Sequence, residues 1–314
     1  MTAISSKLAL EAAAPLAIAA VGLAALCRGF RAVGGTTLRA PWWWAATSLL
    51  AVAASETAIA VFQSSQTAGA AQLRLAASTT AFLPRVALLG AKRPQDRAWQ
   101  FIVLAFWLML ALPAGQAWLL RPEYPPVMHG LWSCFVLLLA VFGVTNYLPT
   151  RFWPAALLVA AGQIVLHWPY LPLTSGTQPD GWSLWGLGLL ASAFVTAVVI
   201  GRRRRPQGDP LDRLWIDFRN QYGVVWGLRV AERINASAMT RGWDVSLGWQ
   251  GFSTQFGGSI EVIPPAVRAE LEAAVRTVLR RFVSAHWIDE RLAAPPTAGS
   301  FLAGPTGVSP SAET

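Results

Sequence analysis

A handful of polar side chains interrupt the long apolar stretches of this chain: Glu11, Glu56, Arg74, Arg85, Gln116, His129 and His167. In hydrocarbon a charge or an imidazole is costly unless something pairs with it or solvates it, so each is a candidate for function. Glu56 and Arg74 can form an ion pair that offsets the cost of carrying both charges. They can equally line a path for an ion, a proton or a polar headgroup. His129 and His167, as neutral imidazoles facing one another, suit axial ligation of haem or a proton relay, with hydrogen bonding to a neighbouring helix as the other reading. For an embedded lipid-modifying enzyme, Glu11 and Glu56 are the carboxylates available within these stretches.

Placing these groups requires the helices that carry them. Apolar runs at 8–27, 41–62, 73–90, 98–120, 127–148, 152–173 and 182–201 each approach the roughly 20 residues that cross a bilayer core about 30 Å thick. The composition agrees: 54% of the chain is hydrophobic and 13% charged, where a soluble domain carries about 25% charge. The expected fold is therefore an all-α polytopic membrane protein, a bundle of about seven transmembrane helices over 1–201 with a small, mainly helical C-terminal cytoplasmic module.

The third run is the weakest, because it holds Arg74, Ser78, Thr79, Thr80, Pro84 and Arg85. Loop charge counts it in. With seven crossings, Arg28, Arg31 and Arg39, then Lys92, Arg93 and Arg97, then Arg151, then Arg202, Arg203, Arg204 and Arg205 fall on one side. That is the positive-inside pattern, and it predicts a bacterial inner-membrane protein with its N-terminus outside and its C-terminus in the cytoplasm. On this topology Glu11, Glu56, Arg74, Gln116, His129 and His167 gather in the outer leaflet as one polar pocket. Arg74 and Arg85, eleven residues apart, fall on one helical face. Pro84 and Gly90 point to a broken helix end lining a cavity, although Arg85 can also snorkel to the inner interface. The alanine-rich first run predicts an interior helix. Most tryptophans fall at span ends, where headgroups suit an amphipathic ring.

Beyond a basic hinge at 202–209, Asp209-Pro210 starts a helix in which Leu211, Leu214, Trp215, Phe218, Tyr222, Val225 and Trp226 recur at three- and four-residue spacing. Roughly eighty residues can make only a marginal core, so docking is expected, on the bundle or on a partner. Trp215, Phe218, Tyr222 and Trp226, with the four arginines, form the expected contact with another protein subunit or with the inner leaflet. A second amphipathic helix follows Pro264-Pro265, a loop or small hairpin lies between the two, and the tail from 292 to 314 has the composition of disorder. The net charge of +9 reports topology, and nucleic acid is not an expected partner.

Phosphate-loop, dinucleotide, zinc-protease, dithiol and serine-hydrolase motifs are missing from the sequence, and Cys27 and Cys134 are the only cysteines. The segment Gly181-Trp182-Ser183-Leu184-Trp185-Gly186, with His167 on the same side, resembles the tryptophan-rich external segment of membrane haem-handling proteins of cytochrome c maturation. It lacks the third tryptophan and the aspartate of that motif. What the resemblance implies is haem held by His129 and His167 against Trp182 and Trp185. The leading expectation is instead a non-catalytic transport or assembly component, with haem or quinone handling and lipid modification as alternatives.

Overall fold

The computed structural model describes residues 2–62, 67–126, 128–171, 181–202, 209–254 and 264–293. It is 79% helical with almost no sheet. The helices are α1 (Thr2–Val33), α2 (Arg39–Phe62), α3 (Ala68–Thr79), α4 (Leu83–Leu89), α5 (Trp99–Leu120), α6 (Gly130–Tyr147), α7 (Trp153–His167), α8 (Trp182–Gly201), α9 (Pro210–Thr240), α10 (Pro265–Leu279) and α11 (Ala285–Leu292). Two-residue strands β1 (Ser246–Leu247) and β2 (Phe252–Ser253) form an antiparallel hairpin.

Five helices, α1, α2, α5, α6 and α8, are long and apolar enough to cross a membrane. The third and sixth predicted spans differ from continuous helices. The third is α3, a 3₁₀ turn at Thr80–Phe82, and α4. Its break has a local cause. Ser78, Thr79 and Thr80 turn their hydroxyls back onto the carbonyls of Leu75, Ala76 and Ala77, which loosens a helix, and Pro84 has no N–H to continue it. The sixth span is a helix of 15 residues, about 22 Å long, followed by a 3₁₀ turn at Trp168–Tyr170.

Neighbours pack in the order α5, α3, α2, α1, α8, α7, α6, and the ring contact of Phe106 with Phe135 at 6.0 Å brings α6 back to α5. The alanine-rich α1 is not interior: only 28% of its apolar window is buried. Its small residues serve close approach on one side, since a Cβ at Gly22 would lie 2.7 Å from Leu49 and 3.2 Å from Ala191.

The C-terminal module is built onto one end of this bundle. Three loops reach it: Thr37 donates from its backbone to the Phe282 carbonyl (2.9 Å), Arg93 to that of Arg281 (2.8 Å), and Trp249 Nε1 to that of Pro149 (3.1 Å). Tyr222, Phe218, Trp226, Leu279 and Phe282 share a single apolar core with Leu38, Leu88 and Ala91 of the bundle. Within α9 the backbone leaves helical geometry at Gly223, with φ +75°. Asn146 at the end of α6 enters there, its Oδ1 accepting from Val225 N at 3.0 Å. A Cβ on Gly223 would meet Asn146 Nδ2 at 2.3 Å, so only glycine fits.

Candidate functional site

Glu56 and Arg74 meet across the antiparallel pair α2 and α3. Nε lies 2.8 Å from Oε1 and Nη2 3.0 Å from Oε2, a two-pronged fork that suits guanidinium and carboxylate planes. The side chains are 9% and 12% exposed, so each charge has the other as compensation for lost water. Trp182 lies beside the pair, its ring centroid 6.0 Å from Arg74 Cζ.

A second polar group of residues runs behind the break in the third span. Arg85 on α4 donates through Nη1 to Gln163 Oε1 of α7 (2.6 Å) and to the Ala140 carbonyl of α6 (3.3 Å). Gly143 makes room for it, because a Cβ there would fall 2.1 Å from Arg85 Cζ. Gln163, fully buried, passes its own amide hydrogens to the Ala81 carbonyl at the break (2.8 Å). Among the described residues no carboxylate lies within ion-pair distance of Arg85.

His167, also fully buried, completes this group. Its Nδ1 lies 2.8 Å from the Gln163 carbonyl and its Nε2 3.3 Å from Ser78 Oγ. A carbonyl only accepts, so in the neutral ring Nδ1 carries the proton and Nε2, through its lone pair, is an acceptor, sharing the single Ser78 hydroxyl proton with the nearer Leu75 carbonyl at 2.9 Å. That lone pair is the one a haem iron would need. His129 stands elsewhere, exposed at the N-cap of α6. The two imidazoles therefore do not form the axial pair expected for haem. Nor is Ser78 with His167 a nucleophile and base, since both are too buried for a substrate to reach. Among the described residues no group of three or more metal-ligating side chains assembles.

The six residues expected in one outer pocket do not converge. Glu56 and Arg74 pair and His167 joins the group around Gln163, whereas Glu11, Gln116 and His129 are exposed. Trp182 is buried beside Arg74 but Trp185 is 71% exposed, as an interface ring would be. Arg74 and Arg85 do not share a face either. A 3₁₀ turn advances about 120° per residue against about 100° in an α-helix, and it redirects Arg85 toward α6 and α7. On the C-terminal side, Trp215, Phe218, Tyr222 and Trp226 are not a free docking face, because the chain's own core covers them. Arg202 is exposed at the end of α8, while Arg203, Arg204, Arg205 and the tail from 294 lie outside the described residues. Gln163 and Ser78 were not foreseen as partners; the signal was a lone amide in the sixth apolar run, weaker than a charge.

No protein-family model matches the chain, and neither a curated protein nor a solved structure matches it.

Proposed function

We propose that this is a seven-crossing, non-catalytic protein of the bacterial cytoplasmic membrane, N-terminus outside and C-terminal module inside, acting as a transport or assembly component that handles an anionic group within the bundle. The observation that carries the reading is the broken third crossing with Arg85 behind it. Its guanidinium is held by an amide and by backbone carbonyls, and Nε and Nη2 have no partner among the described residues. Half-helices shielded by protein are how many transporters present binding groups at mid-membrane. The topology is supported by the three loops, after α1, α4 and α6, that meet the module at one end. In and beside these loops, at the helix ends they join, stand Arg28, Arg31, Arg39, Lys92, Arg93, Arg97 and Arg151 of the positive-inside pattern.

Proteoliposomes holding the full chain should take up radiolabelled phosphate or chloride faster than protein-free vesicles. Arg85→Lys should retain part of that uptake and Arg85→Gln should lose it. Uptake no faster than in empty vesicles removes the transport half of the reading, and failure to recover a stoichiometric second protein from mild detergent then removes the assembly half.

A further inference from the structure

Between α9 and α10, where the module meets the bundle, lies a cleft of about 760 Å³. Its cations come from three places: Lys92 from the loop before α5, Arg229, Arg233 and Arg241 from α9 and its C-cap, and Arg281 just after α10. Arg229, Arg233 and Ser237 follow one another at four-residue steps, which puts them along one side of α9. Among the described residues no carboxylate lines the cleft. Glu270 lies 3.9 Å from Arg241 at the rim with both side chains more than half exposed, a pair of negligible strength.

Three arginines elsewhere in the module, by contrast, have close carboxylate partners. Arg268 pairs with Asp209, Arg276 with Glu272 and Asp289, and Arg291 with Asp217. The cleft brings five positive charges together, an arrangement whose mutual repulsion a bound anion relieves. The floor is apolar, formed by Trp226, Val230, Val278 and Phe282, and the Arg229 guanidinium lies 5.2 Å from the Trp226 ring centroid. Stacked in this way, its donors face outward from a low-dielectric wall, which strengthens charge-assisted bonds. Paired guanidinium groups fit phosphate oxygens better than a point charge does.

We infer that this cleft binds a phosphate-bearing polyanion, either the headgroup of an anionic lipid or a soluble phosphorylated compound. Both can reach it, because Lys92 and Gln95 stand just ahead of Trp99, the first residue of the long apolar helix α5. The inference does not depend on transport through the bundle.

The test uses the full chain in phosphatidylcholine nanodiscs with two probes: inorganic pyrophosphate followed by calorimetry, and cardiolipin added to the nanodisc and counted by native mass spectrometry. Saturable binding of pyrophosphate alone assigns a soluble ligand, and of cardiolipin alone a lipid headgroup. Either supports the site if Arg229→Gln with Arg233→Gln weakens binding by about tenfold or more while Arg97→Gln with Arg280→Gln leaves it unchanged. The second pair removes the same charge from exposed positions outside the cleft. Thr277→Phe, which fills the cleft without changing charge, should also abolish binding. Binding of neither probe, equal losses in the two double variants, or full affinity in Thr277→Phe overturns the inference.

Discussion

Replacing Glu56 by glutamine would strip the carboxylate from a guanidinium that is only 12% exposed. Breaking a buried pair by removing one partner costs about 3–5 kcal/mol, whereas replacing both by apolar groups is often neutral. Glu56→Gln should therefore lower the thermal midpoint in detergent more than the double variant Glu56→Leu with Arg74→Met. A double variant at least as unstable as the single one would give the pair another role. Asp212 offers a test outside the membrane segments. Burial pushes its carboxyl above the ordinary value of 3.8, opposed by the bond from Phe252 N–H, with Asp209 adding to the rise and Arg268 opposing it. The folded state thus holds the proton more tightly than the unfolded chain does. Stability from this group is full below the ordinary carboxylate value and falls as pH rises from there through the raised one. Asp212→Asn keeps an acceptor for Phe252 and should flatten that slope in melts recorded from about pH 3 to about pH 7; an unchanged slope would assign it to other groups.

Among the elements, α9 shows how a break can be as specific as a helix. Gly223→Ala forces a side chain into φ +75° against Asn146, and should cost about 1–3 kcal/mol from backbone strain alone. Limited proteolysis should then release the C-terminal module sooner. Gly188→Ala is the control: nothing lies within 4 Å of its Cβ position, so in the middle of α8 it should be neutral or stabilising by about 1 kcal/mol. Equal proteolysis of the two variants would mean that the Asn146 insertion does not hold α9. Most helix starts were legible in the sequence, and five of the seven apolar runs start within three residues of an observed helix start. The break at Thr80–Phe82 was legible only in part. Pro84 announced it, but the three hydroxyls turning back on their own helix were not distinguishable from hydroxyls turned toward a neighbour.

For the molecule as a unit, the module's core is shared with Leu38, Leu88 and Ala91 of the bundle, and Trp226 Nε1 donates to the Leu88 carbonyl at 2.8 Å. Expressed alone, residues 209–293 should lack fixed side-chain packing, seen as a weak near-ultraviolet circular dichroism signal, and should aggregate in size-exclusion chromatography. A monomeric fragment with a cooperative melt would show that the shared core is dispensable. The apolar stripe of α9 was plain from spacing, which left its cover open between the bundle, another subunit and the lipid surface; the bundle and the module's own helices supply it. Periodicity states that a face needs cover and is silent about what covers it.

Hydropathy and loop charge are local sums, so they carried the all-α membrane class, the positions of the apolar runs and the matching depth of Glu56 and Arg74. The rotation of one helix about another is not local. It was settled by close packing at Gly22, Gly143 and Gly223, and it chose which polar groups meet: Arg85 with Gln163, His167 with Ser78, and five cations around one cleft instead of six residues around an outer pocket.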